Sequence, residues 1–164
     1  MNRFIFALVL SVGFMGSLFA QDFYQSAVGA RLGSPFSASY KTFVSESSAF
    51  EVYAGFRSYG FGGWLNISGA YQIHQPLEDV IEGLQWYYGA GASIFFWNYT
   101  DTALDGLPST SLGLQGYLGL DYTLSDHPVQ ITIDWIPTIF IGETNLSAFG
   151  AGYGSLGVRY ILKR

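Results

Sequence analysis

The segment Ser111–Pro137, SLGLQGYLGLDYTLSDHPVQITIDWIP, decides the fold. Alternate positions in its first half carry Leu and Tyr, and only Gly116 breaks this apolar set. The second half alternates in the same way, with Val, Ile and Trp on one face and Gln, Thr and Asp on the other. A repeat of two residues is the period of a β-strand with two unlike faces. The segment is therefore predicted to form two strands joined by a turn at Ser125–Pro128, whose residues favour turns.

The chemistry of the two faces indicates which one meets the surroundings. The polar face consists mainly of Gly, Ser, Thr and Gln and carries few charges. A soluble sheet would instead expose a face rich in Lys and Glu, because these residues are rarely buried. A face of nearly uniform Leu, Ile and Val suits contact with lipid, and the polar face then lines the inside of a small barrel.

The composition of the 164-residue chain agrees with a single membrane barrel. Charged residues make up 12%, about half of the roughly 25% usual in soluble domains, whereas aromatic residues reach 18%. After residue 20, no apolar run approaches the roughly 18 residues that a membrane helix requires. We therefore predict an all-β fold: one eight-stranded antiparallel up-and-down transmembrane β-barrel, with apolar residues facing lipid. A soluble β-sandwich or lipocalin-like barrel is the alternative.

The first 20 residues are predicted to be a signal peptide. Arg3 supplies a basic start, Phe4–Phe14 is almost wholly apolar, and Ala20 offers a small residue for cleavage. Residues 21–164 would then form the outer-membrane barrel domain. Export of an acidic chain with a net charge of −5 and no Cys suits the outer membrane of a Gram-negative bacterium. The acidic balance argues against a nucleic-acid partner, since such proteins carry basic patches.

Eight strands are predicted after the signal peptide. They cover about Ser26–Gly33, Phe36–Phe43, Phe50–Arg57, Trp64–Ile73, Trp86–Trp97, Ser111–Leu124, Val129–Gly142 and Tyr153–Leu162. The fifth strand has aromatic residues at both ends of its apolar face, and about 33 Å of strand at a tilt of about 40° spans about 25 Å of membrane. Aromatic girdles are predicted to include Trp86, Tyr88, Phe96, Trp135 and Tyr160.

These features resemble the small eight-stranded outer-membrane barrel proteins of the OmpX and OmpA-transmembrane-domain type. The resemblance is carried by Trp86–Ala92, Val129–Pro137 and Gly157–Tyr160. It implies periplasmic termini, outer-membrane lipid as the surroundings, and assembly by the barrel-insertion machinery. Such an orientation puts the short turn Gly33–Phe36 outside and the longer segment His74–Gln85 inside, which is the reverse of the usual arrangement of connections.

Charged residues recur on the face predicted to point inward. They are Arg31, Lys41, Glu51, Arg57, Asp121, Asp134 and Arg159. An eight-stranded barrel is just wide enough for side chains to fill it, and removing one partner of a buried ion pair is costly. We therefore predict a structural ion-pair network that fills the lumen, although the sequence does not assign the pairs. A narrow, porin-like pore or a small-molecule binding or transport pathway is the alternative.

One acidic segment invites a metal-site hypothesis. His74 lies near Glu78, Asp79 and Glu82, and carboxylate oxygens would suit Ca²⁺. A solvated acidic connection explains the same residues more simply. No metal and no cofactor are therefore predicted.

Enzymatic function is not predicted either. Some outer-membrane barrels are lipid-modifying enzymes that use His with Ser, but here the two His residues, His74 and His127, are both predicted to lie in connections. Ser125, Asp126 and His127 are adjacent in sequence, yet a triad depends on geometry and adjacent residues rarely converge. The favoured role is non-enzymatic, structural or in surface interaction, with a partner that the sequence does not identify.

Overall fold

The structure, a computed structural model, describes residues 24–33, 35–59, 62–77, 79–99, 109–141 and 150–163. Its strands are β1 (Ser26–Gly33), β2 (Phe36–Phe43), β3 (Ser48–Tyr59), β4 (Gly62–Pro76), β5 (Leu84–Tyr99), β6 (Thr110–Thr123), β7 (Val129–Ile141) and β8 (Gly150–Lys163). Within these ranges, no helix is long and apolar enough to cross a membrane. The predicted signal peptide, residues 1–20, lies outside the described residues and stays a prediction.

The strands pair in chain order, and the last strand returns to the first. Every neighbouring pair is antiparallel, and β8 pairs with β1, so that the sheet is a closed barrel. The ladder between β4 and β5 runs from the pair Gly62–Tyr99 to the pair Pro76–Gln85. Closure removes the unpaired edges that an open sheet exposes. The predicted eight-stranded up-and-down barrel is confirmed, and the β-sandwich alternative is wrong.

Polar side chains point into the barrel and apolar side chains point out, as the alternation predicts. On the outer face, Leu118 is 50% exposed and Ile133 is 59% exposed. On the inner face, Arg31, Glu51 and Gln72 are almost completely buried. The lipocalin-like alternative required the opposite arrangement, with the apolar face lining a cavity, and it is therefore wrong.

The strands β4 and β5 are longer than predicted, and this changes the place of His74. The sequence suggested a connection from His74 to Gln85. In the structure His74 pairs with Tyr87 and Pro76 pairs with Gln85, so that both ends of this segment belong to strands. The polar residues around His74 concealed the continuing alternation, and Pro76 ends the strand instead of interrupting it.

The connection that remains between β4 and β5 is Leu77–Gly83, at the same end of the barrel as the chain termini. Gly83 has a φ of 80°, in the left-handed region that glycine enters without steric cost. The strand ends that flank the two longest connections, 100–109 and 142–149, lie at the opposite end. With periplasmic termini, the two longest connections would therefore lie outside, as is usual, but the two shortest, 34–35 and 60–61, join strands at that same end.

A local irregularity in β7 coincides with Pro137. The pairing of β7 with β8 shifts register between Ile136 and Thr138. Proline has no N–H to donate, so that within a sheet it fits at such an interruption. On β6, a Cβ added at Gly116 would lie 3.3 Å from Cγ of Pro137. The break in the apolar face at Gly116 is thus explained by the proline ring beside it.

Glycines on the inner face serve two different purposes. An added Cβ at Gly119 would lie 2.7 Å from the carbonyl oxygen of Ile133 and 2.8 Å from Cζ of Tyr87, so this glycine makes room for the tyrosine ring as well as for the neighbouring strand. An added Cβ at Gly89 would lie 2.2 Å from the carbonyl oxygen of Tyr71 on the neighbouring strand. Gly89 therefore lets the backbones of β4 and β5 approach each other closely inside the curved sheet.

The substitution Gly89→Ala tests this close approach. We expect it to lower the free energy of unfolding by about 1–3 kcal/mol, because the added methyl group overpacks the contact between strands. The control Gly69→Ala adds the same group on the outer face of β4, where nothing lies within 4 Å, and should change stability by less than about 0.5 kcal/mol. Urea unfolding of protein refolded in lipid vesicles measures both, and equal losses would contradict the assignment.

Candidate functional site

Six charged side chains meet in the barrel interior, and each is at most 5% exposed. They come from six different strands and are Arg31, Lys41, Glu51, Asp121, Asp134 and Arg159. Three are cations and three are anions, so that their formal charges cancel. A balanced set of this kind avoids the large cost of burying a net charge away from water.

Glu51 on β3 lies at the centre of the larger group of charges. Its Oε1 accepts a hydrogen bond from Nη1 of Arg31 at 2.8 Å and forms an ion pair with Nη2 of Arg159. Its Oε2 accepts a third bond from Nε2 of Gln72 at 2.8 Å. One carboxylate thus connects two guanidinium groups from opposite ends of the sequence, on β1 and β8.

Asp134 on β7 is the second anion of this group. Nη2 of Arg31 lies 2.5 Å from Oδ2 of Asp134, and the hydroxyl of Tyr87 donates to the same oxygen at 2.5 Å. The hydroxyl of Ser155 donates to Oδ1 of Asp134 at 2.7 Å. Arg31 also stacks over the ring of Tyr53, with 4.8 Å from Cζ to the ring centroid. Asp134 therefore joins three strands around the guanidinium group of Arg31.

Arg159 uses its remaining donors on neutral side chains. Its Nε donates to Oγ of Ser39 at 2.8 Å, and its Nη1 donates to Gln130 and Thr132 at 3.0 Å each. A Cβ added at Gly157 would lie 2.2 Å from Oγ1 of Thr132 and 3.1 Å from Nη1 of Arg159. The glycine therefore leaves the space in which this guanidinium group makes its bonds.

A second, smaller group of charges lies nearer the end that carries the termini. Nζ of Lys41 lies 3.0 Å from Oδ2 of Asp121 and 4.6 Å from the ring centroid of Tyr87. The hydroxyl of Tyr24, which precedes β1, donates to the same oxygen of Asp121 at 3.1 Å. Burial and the Asp121 carboxylate raise the pKa of Tyr24, so that its hydroxyl keeps its proton and remains a donor.

His74 also points into this part of the interior. Its ring stacks on Tyr87 with 4.9 Å between centroids, and its Nδ1 lies 3.9 Å from Oδ2 of Asp121. Asp79 and Glu82 are exposed in the connection after β4, and Glu78 lies outside the described residues. The hypothesis that His74 shares a metal site with the acidic connection is therefore wrong, because His74 points into the barrel and away from that connection. Among the described residues, no cluster of His, Cys, Asp or Glu is suited to hold a metal ion.

The interior continues with neutral polar side chains towards the other end of the barrel. The hydroxyl groups of Tyr53 and Tyr117 lie 2.9 Å apart, and Tyr117 donates to Oε1 of Gln115 at 2.9 Å. An enclosed cavity beside Arg31 and Tyr53 has a volume of about 10 Å³. That volume is at the lower limit for a single water molecule.

Beyond this layer the inner face becomes aromatic, which the sequence analysis missed. Trp64, Phe95 and Phe140 form a buried cluster, with Trp97 packed against it. The ring centroids of Phe95 and Phe140 lie 5.0 Å apart at 65°. The succession Phe95-Phe96-Trp97 was a usable signal, because three consecutive aromatic residues in a strand place rings on both faces.

Arg57, the seventh predicted lumen charge, lies away from the other six. It is on the inner face of β3 but partly exposed, and it pairs with Trp64 near the end opposite the termini. There it lines a groove of about 490 Å³ at the rim together with Trp97 and Asn98. Arg57 is therefore at a different height along β3 from Glu51, with five residues of strand between them, and its membership of the ionic network stays a prediction.

The predicted girdle residues all point outward. They are Trp86, Tyr88, Phe96, Trp135 and Tyr160. Four of them lie near strand ends, whereas Trp135 is the seventh of the thirteen residues of β7. Trp135 therefore lies at mid-strand, and its place in a girdle stays a prediction.

The second histidine, His127, lies in the turn between β6 and β7. Its carbonyl oxygen accepts a hydrogen bond from the N–H of Val129 at 2.7 Å. Ser125, Asp126 and His127 are all exposed in this turn.

Comparison with known proteins finds similar folds but no match by sequence. No family model matches the chain, and no curated protein matches its sequence. Neisserial surface protein A (NspA) has a similar structure, with a TM-score of 0.59 and 18% identity over 84% of this chain and 93% of that chain. The N-terminal β-barrel domain of Pseudomonas aeruginosa OprF is also similar, with a TM-score of 0.57 and 14% sequence identity. The match covers 84% of this chain and 97% of that chain. The predicted resemblance to small outer-membrane barrels is confirmed at the level of the fold.

Among substitutions that replace a charged interior residue by a neutral one, the loss of the Glu51 carboxylate should lower stability the most. We expect Glu51→Gln to lower the free energy of unfolding by about 3–5 kcal/mol, because Arg31 and Arg159 would lose their shared anion. Glu46→Gln makes the same change at an exposed position before β3 and should cost less than about 0.5 kcal/mol. Urea unfolding in lipid vesicles compares the two, and similar small effects would show that the ion pairs contribute little.

Proposed function

We propose that this chain is a non-enzymatic integral protein of a bacterial outer membrane, with a structural or surface-interaction role and an interior sealed by its own side chains. The charge-balanced group around Glu51 and Asp134 carries this proposal. Both carboxylates are bonded to Arg31, and Arg159 completes the group through Glu51. Side chains that satisfy one another in this way fill the interior and need no ligand to neutralise them.

The outer face supports a membrane location. Its exposed residues are almost all large and apolar, including Leu65, Ile94, Leu114 and Ile139. Soluble monomers rarely expose apolar surface on this scale, because it would drive association. One solved structure with this fold is named a surface protein, which supports a location in the outer membrane. Outer-membrane lipid and the barrel-insertion machinery are the partners that this location requires.

The filled interior argues against the alternative of a narrow pore or a small-molecule pathway. Conduction requires a continuous path, and the enclosed cavity beside Arg31 has a volume of only about 10 Å³. The side chains of Arg31, Glu51 and Arg159 are directly bonded across the barrel. Opening a path would break ion pairs that are costly to separate once buried.

The positions of the connections suggest how the barrel is oriented. The described chain ends and the connections 44–47, 77–83 and 124–128 lie at one end of the barrel, and the strand ends that flank 34–35, 60–61, 100–109 and 142–149 lie at the other. We place the first end in the periplasm and the second outside the cell, because the two longest connections then lie outside, as is usual for such barrels. The two longer connections are then the segments that a surface partner would meet.

A lipid-modifying activity receives no support from the two histidines. His74 is enclosed in the barrel with 2% exposure, out of reach of a lipid substrate. His127 lies in an exposed turn beside Ser125 and Asp126, at the end that we place in the periplasm. Neither position offers a nucleophile, a base and an oxyanion site around one reacting atom.

A sealed interior predicts that the protein does not conduct ions. Reconstituted in planar bilayers, the wild-type chain should give no discrete openings above the protein-free baseline. The double variant Glu51→Ala/Arg159→Ala removes a bonded anion and cation together and should introduce ion leakage, which shows that the assay detects an opened interior. Stable openings of the wild-type protein would favour the pore alternative.

If the outer face contacts lipid, the loss of stability caused by an added charge should depend on its depth in the membrane. Leu118→Arg should cost about 2–4 kcal/mol, because the position lies within the apolar band, whereas Leu162→Arg near the end of β8 should cost about 0–1 kcal/mol. Both side chains are outward and about half exposed. Unfolding in vesicles measures the two costs. Equal costs at the two positions would mean that the outer face does not cross a bilayer.

A further inference from the structure

A groove on the outer face takes no part in the sealed interior. It crosses β5 to β8 and has a volume of about 620 Å³, within the range of small-molecule sites. Its walls are large apolar side chains that point outward. They are Trp86, Leu118, Leu120, Ile133, Trp135 and Leu156.

The groove exists because one side chain is missing from a regular apolar layer. Leu118 on β6 pairs with Trp135 on β7, and Trp135 pairs with Gly154 on β8. The next row contains Leu120, Ile133 and Leu156, each with a large side chain. A Cβ added at Gly154 would have only the backbone oxygen of Asp134 nearby, at 3.9 Å. The depression therefore lies over Gly154, next to the ring of Trp135.

The polar residues beneath the groove are turned away from it. The hydroxyl of Ser155 donates to Asp134 at 2.7 Å and accepts a bond from Arg31 at 2.9 Å, all within the interior. The groove therefore presents carbon atoms to the outside. Water gains no hydrogen-bond partners in such a space, and an unfilled void would forfeit the dispersion contacts of its lining.

We infer that this groove holds one acyl chain of a membrane phospholipid. The inference rests on the proposed function, because it requires the outer face to contact lipid. Trp86 is the third residue of β5, close to the barrel end that carries the termini. Tryptophan is enriched at the membrane interface, so the glycerol end of the lipid lies near Trp86 and the chain runs inward towards Gly154.

The dimensions and orientation of the groove fit this occupant. Three steps between neighbouring strands, from β5 to β8, cover about 14 Å, which is a length that part of a hydrocarbon chain can span. With the termini in the periplasm, the lipid belongs to the periplasmic leaflet. Trp135 at mid-strand then has a role that a girdle residue lacks, because its ring forms one wall of the site.

A second copy of this chain fits the groove less well. A twofold contact places the same surface patch of each copy against the other. Centred on Gly154, such a contact would bring two depressions together and leave the space unfilled. A flexible chain from the surrounding lipid fills the depression without any matching protrusion.

Filling the groove with a side chain tests the inference. Gly154→Leu places an isobutyl group in the depression, where the backbone has room for it. The matched control Gly69→Leu adds the same group to the outer face of β4, where nothing lies within 4 Å. Each protein is reconstituted in vesicles of phosphatidylethanolamine and phosphatidylglycerol, extracted in mild detergent and examined by native mass spectrometry. We expect one retained phospholipid on the wild type and on Gly69→Leu, and at least a tenfold smaller lipid-bound fraction on Gly154→Leu.

A heat-dependent shift on a semi-native gel establishes folding of every variant. If Gly154→Leu does not fold, Leu156→Phe replaces it. This substitution narrows the same groove from its wall and is also expected to lower the lipid-bound fraction. Equal retention by all folded variants, or retention by none, would overturn the inference and leave the membrane barrel intact. A wild-type dimer that Gly154→Leu disrupts would identify a second copy as the occupant. A wild-type chain that neither enters vesicles nor shifts on heating would overturn the proposed function itself.

Discussion

The interior of this barrel depends on keeping buried charge neutral in a very small space. Eight strands enclose little more than the volume of their own inward side chains, so water is not available to solvate Glu51 or the guanidinium groups beside it. Each charged group must find its partner across the barrel. Arg31, Glu51, Asp134 and Arg159 do so through bonds between strands that are far apart in sequence. Tyrosine, glutamine and serine side chains then use the donors and acceptors that remain.

The strands and their faces were predictable because they depend on local alternation. β1 and β2 begin and end at the predicted residues, and the outward positions of Leu118, Ile133 and Trp86 followed from a period of two alone. Register is fixed strongly in such strands, since a shift by one residue would turn every apolar side chain inward. The seven candidate lumen residues came from the same argument, and all seven lie on the inner face.

The relative positions of residues along the barrel axis were not predictable in this way. Alternation places Arg57 and Glu51 on the same face, but only the ladder shows that Arg57 lies beside Trp64 at the rim. His74 was misplaced because polar residues at a strand end resemble a loop in sequence. Trp135 was assigned to a girdle by residue type, whereas its height depends on where β7 begins. The partners of Arg31 and Arg159 depend on closure, which no local pattern encodes.

The pairing of β8 with β1 links closure of the sheet to the balance of buried charge. Arg159 enters the chain 108 residues after Glu51, and no earlier strand supplies the second guanidinium group that Glu51 binds. A barrel interrupted before β8 would hold two cations, Arg31 and Lys41, against three buried anions. Closing the sheet and neutralising its interior are therefore one event, completed only when the C-terminal strand arrives. A chain truncated before β8 would therefore have both unbalanced buried charge and open sheet edges.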